Sequence, residues 1–181
     1  MKKQTVKITT AFLMLIATLG SCVKGDTGAA GTNGTNGTNG NANVVEGSIA
    51  VTPSDWTWDA TNKWYYEALT DSAITSDIVS SGSVLAFVQI QPYQNWYAMP
   101  YSFANTSTVS IYYAYNYFLY TVHLTFQFSN QAQASSIATY NFKVVCITSS
   151  QRKAHPNTNW QDYSSVKAAL GNQLIETNIT Q

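Results

Sequence analysis

The thiol of Cys22 is the group in this chain best placed for chemistry. It follows Leu19-Gly20-Ser21 at the end of a short apolar stretch near the N-terminus. Leu at the third position before the cysteine, with Gly-Ser just before it, matches a lipobox. At that signal a peptidase cuts before a cysteine that then carries lipid. Cys22 is thus the expected lipidation site and the first residue of the mature protein. The second thiol, Cys146, sits in the apolar run Phe142-Lys143-Val144-Val145-Cys146-Ile147. With no base near it in sequence, it reads as a buried, inert thiol.

The remaining reactive side chains are sparse. His123 lies on the polar parity of a strand and His155 precedes Pro156 in a loop. Without partners at metal-ligand spacing they do not form a metal site. No Gly-x-Ser-x-Gly elbow is present. Carboxylates pair only as Asp55/Asp59 and Glu67/Asp71, on edges and turns. No catalytic set, metal or cofactor is expected, and a hydrolase ranks last among the readings. The tryptophans offer different chemistry. Trp56 and Trp58 flank Thr57, so on a strand they face one side, and Trp96 lies near a loop. Exposed, these rings would stack on sugars, with Asp55 and Asp59 accepting hydroxyl hydrogen bonds. Aromatic residues also fill β cores routinely.

Three elements must position these groups. The first is a targeting segment. Lys2, Lys3 and Lys7 give a basic start, and Ala11–Ala17 is apolar, with Thr18-Leu19-Gly20 after it. This is a secretory signal, about half the length that a spanning helix needs. Of 9 basic and 9 acidic residues, these three lysines leave with the signal, so the mature chain carries six basic groups against nine acidic, a net charge of −3. Such a balance argues against nucleic acid as partner and against electrostatic membrane binding.

The second element is a tract with glycine at every third position: Gly25, Gly28, Gly31, Gly34, Gly37 and Gly40. This is the collagen period, but without proline to preorganise it. Eighteen residues of this kind reach about 55 Å fully extended and average roughly 23 Å as a coil. The tract reads as a hydrated stalk, with homotrimerisation through it the sharper alternative.

The third element is a β-rich body. Phe118, Tyr120, Val122, Leu124, Phe126 and Phe128 alternate with polar residues, predicting a strand over 117–128. A hairpin turn is expected at Ala114-Tyr115-Asn116. Val84–Ile90 is apolar on both parities, as a strand buried on both faces would be, and Tyr140–Ile147 reads as another inner strand. Further strands are expected at Val44–Val51, Lys63–Leu69 and Asn95–Phe103. Thr75 and Asp162 are placed to cap short helices, closed by Gly82 and by Gly171 in a left-handed stop position.

A lipobox, a glycine-triplet tract, and Asn41-Ala42-Asn43-Val44 opening a β domain resemble the small collagen-like lipoproteins of Bacteroidetes. Ile74-Thr75-Ser76-Asp77-Ile78 and the Asp162–Lys167 helix add to the likeness. The resemblance implies location and architecture, not activity: three acyl chains on Cys22 and, with Val23 rather than Asp after it, the outer membrane. Asp71-Ser72-Ala73 also resembles the short O-glycosylation sequence of Bacteroidetes secreted proteins.

The expected organisation is a signal peptide (1–21), a lipidated cysteine with its linker (22–43) and one domain (44–181). That domain is read as all-β, an antiparallel β-sandwich with two short helices, a jelly roll being one arrangement. Its expected role is non-catalytic display at a membrane surface, with glycans or surface proteins as partners. A carbohydrate-binding module using Trp56, Trp58 and Trp96 is the alternative.

Overall fold

A computed structural model describes residues 44–181; the expected signal segment, Cys22 and the glycine triplets lie outside them. In chain order the elements are β1 (Val44–Val51), β2 (Thr57–Asp59), β3 (Trp64–Thr70), α1 (Ser76–Ser81), β4 (Ser83–Gln89), β5 (Trp96–Ala98), β6 (Tyr101–Ala104), β7 (Ser110–Phe118), β8 (Thr121–Phe128), β9 (Tyr140–Ile147), α2 (Ser149–Ala154), α3 (Tyr163–Leu170), a 3-10 turn (Gly171–Gln173) and β10 (Leu174–Asn178). The strands form two five-stranded sheets, ordered β10-β1-β9-β4-β5 and β2-β3-β8-β7-β6. All pairings are antiparallel except β1 with β10. The expected all-β sandwich is thus the observed fold class, with a third helix, α2, and an edge strand, β10, that the sequence did not reveal.

The strands alternate because each sheet has an inner and an outer face. Val122, Leu124 and Phe126 of β8 point inward and are buried. Phe126 is the hub of the interior: its ring lies 4.7 Å from Trp56 edge-on and 4.7 Å from Tyr65 in a stack. Tyr115 reaches across the core, its hydroxyl donating to the Val84 carbonyl of the opposite sheet at 2.8 Å. Gly47 on β1 is needed for close approach, since a Cβ there would overlap the Ile179 side chain. Cys146 is buried and free, with its Sγ 4.0 Å from the Asp71 carboxylate.

Why β4 is apolar on both parities is plain in the structure. Val84, Ala86 and Val88 enter the interior. Phe87 faces outward into a second cluster, with Val44, Val145 and Ile147 of the same sheet under Tyr163, Val166 and Leu170 of α3. Helix α3 forms where expected, with Asp162 accepting from the Ser164 N–H at 2.9 Å. Thr75 caps α1 by accepting from the Ile78 N–H.

Three local expectations are corrected. The hairpin turn is not at Ala114–Asn116, which lies inside β7, but at Leu119-Tyr120, with Tyr120 at φ 60°. The strand expected over Asn95–Phe103 is broken at Met99-Pro100, and β5 and β6 join different sheets; Pro100 has no N–H to continue a ladder. Gly171 is right-handed (φ −35°, ψ −59°) and leads into the 3-10 turn rather than stopping the helix.

Candidate ligand-binding face

The outer face of the second sheet is built from the alternate parity of β3, β7 and β8. On β3, Tyr65 and Leu69 are buried, so Trp64 and Tyr66 point the other way. On β7, Ile111 and Tyr113 are buried and Tyr112 points outward between them. Trp64, Tyr66 and Tyr112 are 38–48% exposed. Register arranges them in rows. Thr57, Tyr66, Thr125 and Ala114 lie side by side across four strands. In the next row Asp59 pairs with Trp64, and Gln127 of β8 pairs with Tyr112 of β7, which in turn is opposite Ser102. Trp64 and Tyr112 stand two strands apart, about 9.5 Å at ordinary strand spacing. Flat rings set between threonine, glutamine and serine side chains suit a ligand with alternating apolar faces and hydroxyl edges.

Asp59 supplies charge at the rim of this face. Its Oδ1 accepts from the Asn62 and Thr61 N–H groups at 2.9 and 2.8 Å, and its Oδ2 accepts from Asn62 Nδ2 at 2.7 Å. These bonds, the Asn62 backbone N–H foremost, hold the carboxyl below the usual aspartate range, so it is ionised beside Trp64. On β8, Gln127 Nε2 donates to the Asn62 carbonyl at 3.4 Å, tying the β2–β3 turn to the same face.

The residues singled out in the sequence are placed differently. Trp56 is 7% exposed and packs inside against Phe126 and Phe142. Trp58 is half-buried over Tyr65, ring centroids 4.8 Å apart. Trp96 is half-buried in the separate cluster under α3. The three do not share an exposed surface, because Trp56 and Trp58 both take the inward parity, Trp58 opposite the buried Tyr65, and Trp96 lies on the other sheet. The signal for Trp64 and Tyr66 was available in their parity, opposite to Tyr65 and Leu69.

Trp96 instead borders a polar network. Lys143 pairs with Glu46, and the Tyr163 hydroxyl donates to the Glu46 carboxylate at 2.9 Å. The Lys143 ammonium lies 5.1 Å from the Trp96 ring centre and 4.9 Å from that of Tyr163. Burial by itself would lower the Lys143 pKa, but the hydrogen bonds to Glu46 and Tyr163 and the Glu46 charge outweigh it, and the net shift is upward.

The carboxylates pair otherwise than expected. Asp55 is bonded to Thr52, through its N–H at 2.6 Å and its hydroxyl at 2.7 Å, and this holds its carboxyl low. Glu67 is raised by burial and then by the charge of Asp55. Asp71 is fully buried, its Oδ1 accepting from the Ala73 N–H at 2.9 Å, and burial raises its pKa. Ser72 beside it is exposed. His123 lies against Phe118, 5.5 Å between rings, and His155 closes α2. Among the described residues no three His, Cys, Asp or Glu side chains converge on a metal-sized site. No described helix is long and apolar enough to cross a membrane.

Comparison with family models, curated proteins and solved structures finds no match to this chain.

Proposed function

We propose that this chain is a membrane-anchored lipoprotein that displays its β-sandwich on a glycine-rich stalk, in a non-catalytic binding or structural role. The observation that carries this reading is Leu19-Gly20-Ser21-Cys22 at the end of a short apolar run. Lipid on Cys22 is the membrane link, and the outer membrane is the compartment that the resemblance favours. The glycine triplets leave a homotrimer open as the displayed form. The test is Cys22→Ala in the native cell. The chain is expected to leave the membrane fraction, and its N-terminal peptide to lose the acyl mass. A variant that stays with the membrane overturns the reading.

A second reading, a carbohydrate-binding module, is favoured by the bare face of the second sheet. Its platform is Trp64, Tyr66 and Tyr112, with Asp59 and Gln127 as hydroxyl partners, rather than Trp56, Trp58 and Trp96. Titration with extended polysaccharides should give binding that Trp64→Thr weakens at least tenfold. A glycan array without any hit rejects this reading and leaves the anchor untouched.

A further inference from the structure

One end of the sandwich carries an apolar tip. Phe118, Leu119 and Tyr120, at the β7–β8 turn, are 48–57% exposed. Val79 on α1, at the same end, is exposed as well. The exposure does not come from a loose loop. The Tyr120 N–H donates to the Ile74 carbonyl at 2.8 Å, and the Tyr120 carbonyl accepts from the Asp71 N–H at 2.9 Å. The turn is pinned by its backbone on the segment before α1, and its side chains are held outward.

The choice of residues is costly on two counts. Two-residue hairpin turns favour Asn-Gly or Asp-Gly, yet here they are Leu-Tyr. Tyr120 adopts φ 60°, in the left-handed region that bulky residues avoid. A soluble turn would be met more easily by Gly or Asn at that position. Strain and exposed apolar area kept together at one tip point to a contact made there.

The strand directions say what the tip faces. The registers Thr70↔Thr121 and Phe118↔Thr121 bring the ends of β3 and β7 to the start of β8, and Ser83↔Ile147 puts the start of β4 beside the end of β9. The Tyr115–Val84 and Cys146–Asp71 contacts between the sheets place all of these at one end. The first described residue, Val44, is there too, since Val45 pairs with Cys146. The polypeptide therefore enters the domain from the side that bears the apolar tip. Only residues 23–43 separate Val44 from Cys22. Arg152 and Lys153 of α2, which follows directly on β9, add cations at this end, and Asp77 of α1 one anion.

We propose that Phe118-Leu119-Tyr120 is a lipid-contacting tip that seats this end of the sandwich on the bilayer to which Cys22 is tethered. The proposal rests on the lipoprotein reading of Cys22. Three side chains are too few to hold a free protein on a membrane. A tether makes the second contact intramolecular, so a weak apolar tip suffices. Aromatic rings suit the headgroup level, where one edge is apolar and the other wet. The bare aromatic face then runs away from the membrane, with the Trp64–Tyr112 row toward the outer end.

The test uses the full chain isolated from membranes and reconstituted in phosphatidylethanolamine–phosphatidylglycerol vesicles. An environment-sensitive dye is placed on an unnatural residue at position 119 or, as control, at position 107 in the β6–β7 loop at the opposite end. Nitroxide on the lipid acyl chains should quench the dye at 119 at least threefold more than the dye at 107. Adding Phe118→Ser and Tyr120→Asn should remove most of that difference. Equal quenching at the two positions, with the chain still floating with the vesicles, overturns the proposal; so does protection of position 119 by a cross-linked protein instead of lipid. If mass spectrometry finds no lipid on Cys22, the display reading fails. The same full chain is then coupled through Cys22 to a maleimide lipid, and the two positions still decide the tip.

Discussion

The two sheets differ on their outer faces. That of the first sheet is half closed: α3 lays Tyr163, Val166 and Leu170 over Val44, Phe87, Val145 and Ile147. Beyond this cover it ends in the Glu46–Lys143–Tyr163 network beside Trp96. The outer face of the second sheet exposes Trp64, Tyr66 and Tyr112 among Thr and Gln side chains. Both sheets share one interior, so the interior does not account for the difference. A strand that needs a lid is apolar on both parities, as β4 is. A strand that stays bare alternates, as β3 and β8 do. The large aromatic rings on the bare parity are the ones that the proposed glycan reading assigns to a ligand, and their share in stability is what separates that reading from a structural one.

The largest effect is expected in the apolar half of the covered face. Phe87→Ala removes a fully buried ring packed 5.3 Å from Tyr163, and should cost about 3–5 kcal/mol in denaturant unfolding. If it costs no more than a surface substitution, the lid is not a stabilising layer. Next comes the polar rim of the same face. Lys143→Met leaves the Glu46 carboxylate buried without its cation. A fully buried pair loses about 3–5 kcal/mol on removal of one partner; Lys143 keeps some contact with solvent, so about 2 kcal/mol is expected here. Lys143→Met combined with Glu46→Leu should recover most of that loss. A double variant as unstable as the single one would mean that the pair is not coupled.

A smaller effect adds a pH dependence to the rim, in the same direction as that of the buried Tyr113, Tyr115 and Cys146, whose burial raises them too. The Lys143 pKa is raised, because its bonds to Glu46 and Tyr163 overcome its burial. Tyr163 is raised too, by burial first and by the Glu46 hydrogen bond, against the opposing pull of Lys143. For both groups the protonated form is the one the fold prefers. Their stabilisation is complete below the ordinary Tyr and Lys values of 10.0 and 10.5, and is lost as pH rises through the folded ones. Melting temperature should therefore fall above about pH 10, and Lys143→Met with Tyr163→Phe should flatten that fall. An unchanged alkaline slope would assign it to other tyrosines.

How much of this was legible in the sequence depends on whether the signal was local. The Asp162 cap and the β9 run were readable because each is set by neighbours within a few residues. The double apolar parity of Val84–Ile90 announced a lid without saying which element supplies it. The Leu119-Tyr120 turn was hidden because it lacks turn residues: the alternation of Phe118, Tyr120 and Val122 runs through it and mimics one long strand. β10 was hidden because Leu174–Asn178 is an edge strand placed by parallel pairing with β1, more than a hundred residues away. The tryptophans were misassigned for a related reason. Asp55-Trp56-Thr57-Trp58 does put both rings on one side, but pairing with β3 makes that side the inner one: Trp58 sits opposite the buried Tyr65, and Trp56 drops into the core beside Phe126.

The smallest expected effect is the most telling for the bare face. Replacing Trp64, Tyr66 and Tyr112 together by Thr keeps β-branched residues on the strands, and so keeps their β propensity. Each ring is already partly in water, so little apolar area is returned to solvent; surface substitutions of this kind usually stay within about 0.5 kcal/mol each. Asp59 loses a neighbour in Trp64, but its bonds to Thr61 and Asn62 remain. The triple variant should therefore unfold within about 1.5 kcal/mol of the parent, while any ligand of this face is lost. Unfolding and titration on the same sample separate the cases. A fall of more than about 3 kcal/mol would approach the cost of a core truncation. It would make these rings structural, and the two outer faces would then differ only in what covers them.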